Sequence, residues 1–221
     1  MQEMHIFFDI DNTLFPTSHF LRMADQNAVN AMISKGLDCS FAKGIRELRQ
    51  IIMEKGSNYP NHFDLLVERV NGKKEIKIVA AGVMAYHNTK NAMSPYPEVP
   101  RVLMALHDAG HHLHIASEGI EIKQWDKLLR LGIDIYFEDV YVTNAKDVQF
   151  YKRIIRQCNL DPSHCVMIGD RPSKDTEPAM CAGMYGIRIK RGKYSNEAGK
   201  CHKEIRTLTP LPKIISGLLN Q

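Results

Sequence analysis

No apolar run among the 221 residues approaches the roughly 20 needed to cross a bilayer. The opening Met1-Gln2-Glu3-Met4-His5 lacks both the basic and the apolar stretch of a secretory leader. The five cysteines, Cys39, Cys158, Cys165, Cys181 and Cys201, are odd in number, scattered and without a Cys-x-x-Cys pair, which argues against a disulfide framework or a zinc knuckle. A soluble, cytoplasmic protein in a reducing setting is the expectation. One-sided charge is missing too: a formal +4 with a pI near 8.7 falls short of the concentrated Lys/Arg stripe that nucleic-acid binding requires. The late basic residues Arg188, Lys190, Arg191, Lys193, Lys200, Lys203 and Arg206 are diluted by Glu197 and Glu204, and read as a solvated surface. Neither nucleic acid nor a membrane is expected as a partner, and nothing in the composition speaks to oligomeric state.

What is present divides by texture. Ile6-Phe7-Phe8 reads as a buried strand. Residues 16–93 then show helical periodicity and no convincing strand: Phe20, Met23, Ala24, Asn27 and Ala28; Phe41, Ile45, Leu48, Ile51 and Ile52; Phe63, Leu65, Leu66 and Val67. Gly36, the stretch Gly56 to Pro60, and Asn71-Gly72 punctuate them, which implies about four helices. Beyond Ser94-Pro95-Tyr96-Pro97 the units alternate: helix 98–109, strand 112–116, helix 121–131, strand 140–142, helix 147–158, strand 165–168, helix 175–182 and strand 186–189. Alternation of this kind predicts an α/β fold, a Rossmann-like three-layer core with a parallel sheet, formed by residues 1–15 and 94–221. Residues 16–93 would be an inserted helical-bundle cap over the C-terminal edge of that sheet.

Strand endings carry the chemistry. The first apolar run ends in Asp9 and Asp11, the second in Ser117-Glu118-Gly119, and a later one in Gly169-Asp170, with Asp175 five residues on. Parallel strands share a C-terminal edge, where open α/β sheets bind ligands, so these groups can converge. Asp9, Asp11 and Asp170 would repel one another without a hard cation, and Mg²⁺ takes a few carboxylates together with water and phosphate oxygens.

These residues resemble the motifs of the haloacid dehalogenase superfamily of phosphohydrolases, in the subgroup whose helical cap follows the first motif. Asp9-Ile10-Asp11-Asn12-Thr13-Leu14 matches Asp-x-Asp-x-Thr-Leu; Ser117, Lys146 and Gly169-Asp170 with Asp175 match the second, third and fourth motifs. The resemblance implies Asp9 as nucleophile, forming an aspartyl phosphate, and Asp11 as general acid and base, with a raised pKa while it acts as acid. It implies Mg²⁺ held by Asp9, the backbone carbonyl of Asp11 and Asp170, with Asp175 behind them. Ser117, Glu118 and Lys146, helped by backbone N–H groups, would bind phosphate. The third motif departs from the family pattern, since Lys146 is followed by Asp147 rather than proline; Lys152 is the competitor, disfavoured by its place inside a helix. Asn12 suits a left-handed turn at the strand exit.

The implied activity is hydrolysis of a small phosphorylated metabolite. Residues 115–133 and Met167 to Asp175 are similar to an archaeal-type subgroup, some of whose members are associated with glyceraldehyde 3-phosphate phosphatase activity. Phe15, His19, Phe20, Tyr86 and Asn88 are candidate substrate contacts, each with a core-packing alternative. A phosphomutase and a non-catalytic binding protein remain open alternatives, while Asp11 disfavours a dehalogenase, whose halide leaves without a proton. The cluster His107, His111, His112 and His114 satisfies no metal-ligand spacing. Trp125, with Ile122, Leu128 and Leu129, reads as helix packing. Arg171 and Lys174 flank the fourth motif, either as surface charges or near substrate.

Overall fold

The computed structural model describes residues 3–219, in which six strands form one all-parallel sheet. The strands are β1 (His5–Phe8), β2 (His112–Glu118), β3 (Asp139–Thr143), β4 (Cys165–Gly169), β5 (Tyr185–Ile189) and β6 (Lys203–Ile205), in the spatial order β3-β2-β1-β4-β5-β6. Ile6, Phe7, Phe8, Ile115, Val166, Met167, Ile168 and Ile187 are fully buried, as strands covered on both faces require. The order reverses between β1 and β4, the two central strands, and at such a switch point the connections leave in opposite directions and open a crevice at the C-terminal edge. Asp9 and Asp170 each follow one of the two strands that bound it.

The chain separates into two compact units, one of residues Met1–Ser18 with Ser94–Gln221 and the other of His19–Met93. The first holds the sheet and α5 (Val99–Asp108), α6 (Glu121–Leu131), α7 (Val148–Gln157), α8 (Thr176–Cys181) and α9 (Leu211–Leu218). Phe150, Tyr151 and Ile154 of α7 and Ala179 of α8 pack on Phe7, Ala116, Cys165 and Met167, the side chains of one sheet face. In the second unit, α1 (Thr17–Ser34, whose first residues belong to the other unit), α2 (Phe41–Lys55), α3 (His62–Asn71) and α4 (Ile76–Thr89) share a core. Val29, Met32, Leu48, Ile51, Leu66 and Ile78 form its centre. Ser40 accepts the Lys43 N–H at 3.3 Å to start α2, and Gly72 ends α3 in the left-handed conformation.

Three readings are corrected. β6 and α9 follow β5 and extend the sheet unit beyond the last expected strand. Arg188 is 3% exposed and donates to Glu204 at 3.1 Å and to the Tyr194 carbonyl at 3.0 Å, so it belongs to the interior rather than a solvated basic surface. On α6 only Leu128 of the four expected packing residues is fully buried; Ile122, Trp125 and Leu129 are exposed. No helix among the described residues is long and apolar enough to cross a membrane.

Candidate active site

The loop leaving β1 folds tightly on itself. The N–H groups of Leu14 and Phe15 both donate to the Ile10 carbonyl, at 3.0 and 3.1 Å, and Asn12 N–H donates to Phe15 O at 2.7 Å. Asn12 sits at φ 58, a conformation asparagine tolerates better than most residues. Its amide joins three segments: Nδ2 donates to Asp170 Oδ2 at 3.2 Å, and Oδ1 accepts the Ser18 N–H at 3.0 Å. The Asp9 N–H donates to Ile168 O at 2.9 Å, continuing the β1–β4 pairing to Asp9.

Carboxylate oxygens of Asp9, Asp170 and Asp175, all buried, lie within 4.8 Å of one another. Among them stands Lys146, 4% exposed, whose Nζ is 2.6 Å from Asp9 Oδ1, 3.4 Å from Ala116 O and tightly paired with Asp175 Oδ1. Burial raises the Asp9 pKa, and the Asp175 and Asp11 charges add to the rise against the pull of Lys146. Burial likewise raises Asp170, followed by repulsion from Asp9 and Asp175. Burial opposes the Lys146 charge, yet Asp175 and Asp9 hold its pKa well above the ordinary value. One ammonium against three carboxylates leaves a surplus of negative charge, which is the electrostatic setting for a hard cation.

Other predicted residues fall around this centre. Ser117, within β2, is fully buried and its Oγ has no hydrogen-bond partner within the protein, leaving a donor available to a ligand. Glu118 Oε2 accepts from Lys146 N–H at 3.2 Å and Lys174 Nζ at 3.1 Å, so its carboxylate serves the loop at 146. Asp175 Oδ2 accepts the Arg171 N–H at 2.9 Å, and Asp175 packs so closely over Gly169 that a Cβ there would overlap its carboxyl. The missing proline of the third motif is replaced by Asp147, which caps α7 by accepting the Phe150 N–H at 2.8 Å. Lys152 is exposed on α7. Arg171 stacks its guanidinium 4.3 Å from the Tyr194 ring centre.

Asp11 departs from expectation. Thr17 Oγ1 donates to its Oδ1 at 2.6 Å, and Lys127 Nζ lies 2.6 Å from Oδ1 and 2.8 Å from Oδ2. Burial alone would raise its pKa, but the paired Lys127 outweighs it and the carboxyl is held below the ordinary value, opposite to the raised pKa expected of an acid. Lys127, Gln124 and Thr17 were not among the expected site residues. Gln124 and Lys127 stand three apart on α6 and so share a face, but only packing turns that face toward Asp11. Of the candidate substrate contacts, Phe15 and Phe20 are buried, at 2% and 6% exposure, Tyr86 packs edge-on against Phe63, and His19 and Asn88 are exposed.

The acidic, lysine-bearing centre thus lies at the switch point of a parallel sheet, where α/β enzymes bind their ligands. Residues 4–183 match the family model described as haloacid dehalogenase-like hydrolase, and the chain belongs to that family. It is 42% identical over 199 residues, 86% of the chain and 85% of the relative, to the glyceraldehyde 3-phosphate phosphatase of Methanopyrus kandleri. It is 38% identical over 221 residues, 96% of the chain and 97% of the relative, to the enzyme of the same name from Methanocaldococcus jannaschii. Among solved structures, a haloacid dehalogenase-like hydrolase from Xanthomonas campestris shares the fold at a TM-score of 0.71 and 21% identity, covering 98% of this chain and 91% of its own. Within the family the chain is a phosphatase, a phosphoric monoester hydrolase.

Proposed function

We propose that the protein hydrolyses a small phosphorylated metabolite, glyceraldehyde 3-phosphate first among the candidates, in a Mg²⁺-dependent reaction through an aspartyl phosphate on Asp9. The observation that carries this reading is the convergence of Asp9, Asp170, Asp175 and Lys146 at the crevice between β1 and β4. The two archaeal relatives named for glyceraldehyde 3-phosphate support the substrate.

The donor set suits Mg²⁺: hard, buried carboxylate oxygens of Asp9 and Asp170, with the Asp11 carbonyl as a third ligand. When bound, the ion would neutralise charge on the carboxylates and on the phosphate. The side chains do the rest. Asp9 attacks phosphorus, and its bond to phosphorus forms as the ester P–O bond breaks. Asp11 protonates the departing alkoxide and then takes a proton from the water that cleaves the aspartyl phosphate. Lys146 and the unpartnered Ser117 hydroxyl hold non-bridging phosphate oxygens. Asp175 orients Lys146, and Asn12 orients Asp170. Substrate choice is assigned in the same reading to the helical unit His19–Met93, acting as a cap, with its exposed His19 and Asn88.

The test is a Mg²⁺-dependent screen of phosphorylated metabolites with Asp9→Asn as blank. Release from glyceraldehyde 3-phosphate should exceed that from other esters and fall at least ~1,000-fold in Asp9→Asn. Turnover unchanged in the variant would overturn the mechanism, and preference for another ester would overturn the substrate. Asp11→Asn should slow alkyl phosphates ~100-fold or more while sparing p-nitrophenyl phosphate, whose leaving group departs without a proton.

A further inference from the structure

We propose that Lys127 is a positioning residue for Asp11, fixing which carboxylate oxygen exchanges the proton with the leaving group; this rests on the phosphatase reading above. Asp11 lies on a loop, one-third exposed, and a carboxylate there is free to swing unless held. It is held from two elements. Thr17, at the start of α1, donates to Oδ1 at 2.6 Å, and Lys127 of α6 reaches Oδ1 at 2.6 Å and Oδ2 at 2.8 Å.

Lys127 is itself anchored, unlike a lysine of an ordinary solvated ion pair. Its Nζ donates to Gln124 Oε1 at 3.1 Å, and Gln124, 3% exposed, donates from Nε2 to the Glu118 carbonyl at 3.0 Å. That carbonyl lies at the end of β2, next after Ser117. Gly119, at φ 141, leaves the room: a Cβ there would stand 2.7 Å from Gln124 Nε2. The β2 terminus, Gln124, Lys127 and Asp11 thus form one continuous relay of hydrogen bonds, which ties the orientation of Asp11 to the strand that carries Ser117.

The two oxygens of Asp11 are not equivalent. Oδ1 is shared by Thr17 and Lys127, whereas Oδ2 meets Lys127. Oδ2 therefore keeps an open lone pair and is the oxygen that carries the proton. A proton held on Oδ2 passes to the ester oxygen as the P–O bond breaks and the Asp9–phosphorus bond forms. The Oδ2 carboxylate then removes a proton from the water that attacks the phosphoryl group, which regenerates Asp9. Without Lys127 the carboxyl loses its aim, while phosphate binding at Ser117 and Lys146 stays intact.

The experiment measures kcat and KM of K127M and K127R, each alone and in a D11N background, with Mg²⁺, on glyceraldehyde 3-phosphate and on p-nitrophenyl phosphate. K127M keeps the apolar stem, and thermal unfolding verifies that both variants fold. K127M should lower kcat on the alkyl ester by ~30-fold or more, but on the aryl ester by less than about 3-fold, with KM within about 3-fold on both. K127R should recover at least a third of the lost rate. In the D11N background K127M should cost less than about 3-fold, since the group it positions is already disabled. Equal losses on the two esters, a rise in KM alone, or full additivity with D11N would overturn the positioning role while leaving the phosphatase reading intact. A wild-type protein without Mg²⁺-dependent phosphate release would overturn both.

Discussion

At the residue scale the site is an electrostatic problem solved by placement. Two unit charges 4 Å apart interact by about 4 kcal/mol at an effective dielectric near 20, so three carboxylates within 4.8 Å repel one another more than one lysine offsets. Burial first, and that repulsion second, raise the pKa values of Asp9 and Asp170, and Lys146 holds its own charge because Asp175 and Asp9 face it. Asp11 is treated differently: the paired Lys127 holds its pKa below the ordinary value, whereas burial holds that of Asp9 above it, although the two are only two residues apart. Gly169 is the other determinant. Its missing side chain lets Asp175 lie against β4 and reach Lys146, so Gly169→Ala must displace that carboxyl. The substitution should cost about 2 kcal/mol or more in chemical denaturation and reduce kcat/KM at least 10-fold. Gly217, with nothing near its Cβ direction, is the control, and Gly217→Ala should stay within about 1 kcal/mol of the parent on the stabilising side.

At the element scale the sheet has a chemically distinct opposite end. The register pairs His5 with His112, and their rings stack at 4.6 Å; His5 also stacks on His114 at 5.3 Å, with Nδ1 of the one 3.0 Å from Nε2 of the other. Burial, then the neighbouring His5, pushes His114 down to about 4. An unfolded histidine takes its proton near 6.5, so folding favours neutral His114 above that pH, and this contribution is lost as pH falls through about 4. His112 works the other way, since Glu138 and Glu3 raise its pKa and partly offset the loss. His114→Phe should flatten the stability profile between pH 6.5 and 4 by roughly 1–2 kcal/mol, as measured by urea denaturation across that range. An unchanged acid limb would place the loss elsewhere. β1 and β4 were legible because central β-strands buried on both faces need continuous apolar runs. β6 was not legible: Lys203-Glu204-Ile205 carries two charges, and it joins the sheet only through its pairing with β5 and the burial of Ile205. Nor was the exposed face of α6, because the same helical spacing of Ile122, Trp125 and Leu129 describes a packed stripe and an exposed one.

On the scale of the whole molecule, a single chain forms a sheet unit and a helical unit, each with its own core. A cation that binds only the folded sheet unit must raise the stability of that fold by mass action. Millimolar Mg²⁺ should therefore raise the unfolding temperature by several degrees, chelation should reverse the rise and abolish phosphate release, and Asp170→Asn should lose the shift; a calorimetric scan with and without Mg²⁺ decides it. How much of this could be read from residue order follows from the range of the forces. Apolar runs, helical spacing and residues with special backbone freedom act locally, and they were enough to identify the alternating α/β units and to mark Asp9, Asp11, Ser117, Asp170 and Asp175 at or after strand ends, whereas Lys146 came only from the family resemblance. Charge interactions act through space between residues far apart in the chain, and those belonged to the tertiary structure. Only it could give Asp11 a lysine 116 positions away and turn Arg188 inward onto Glu204.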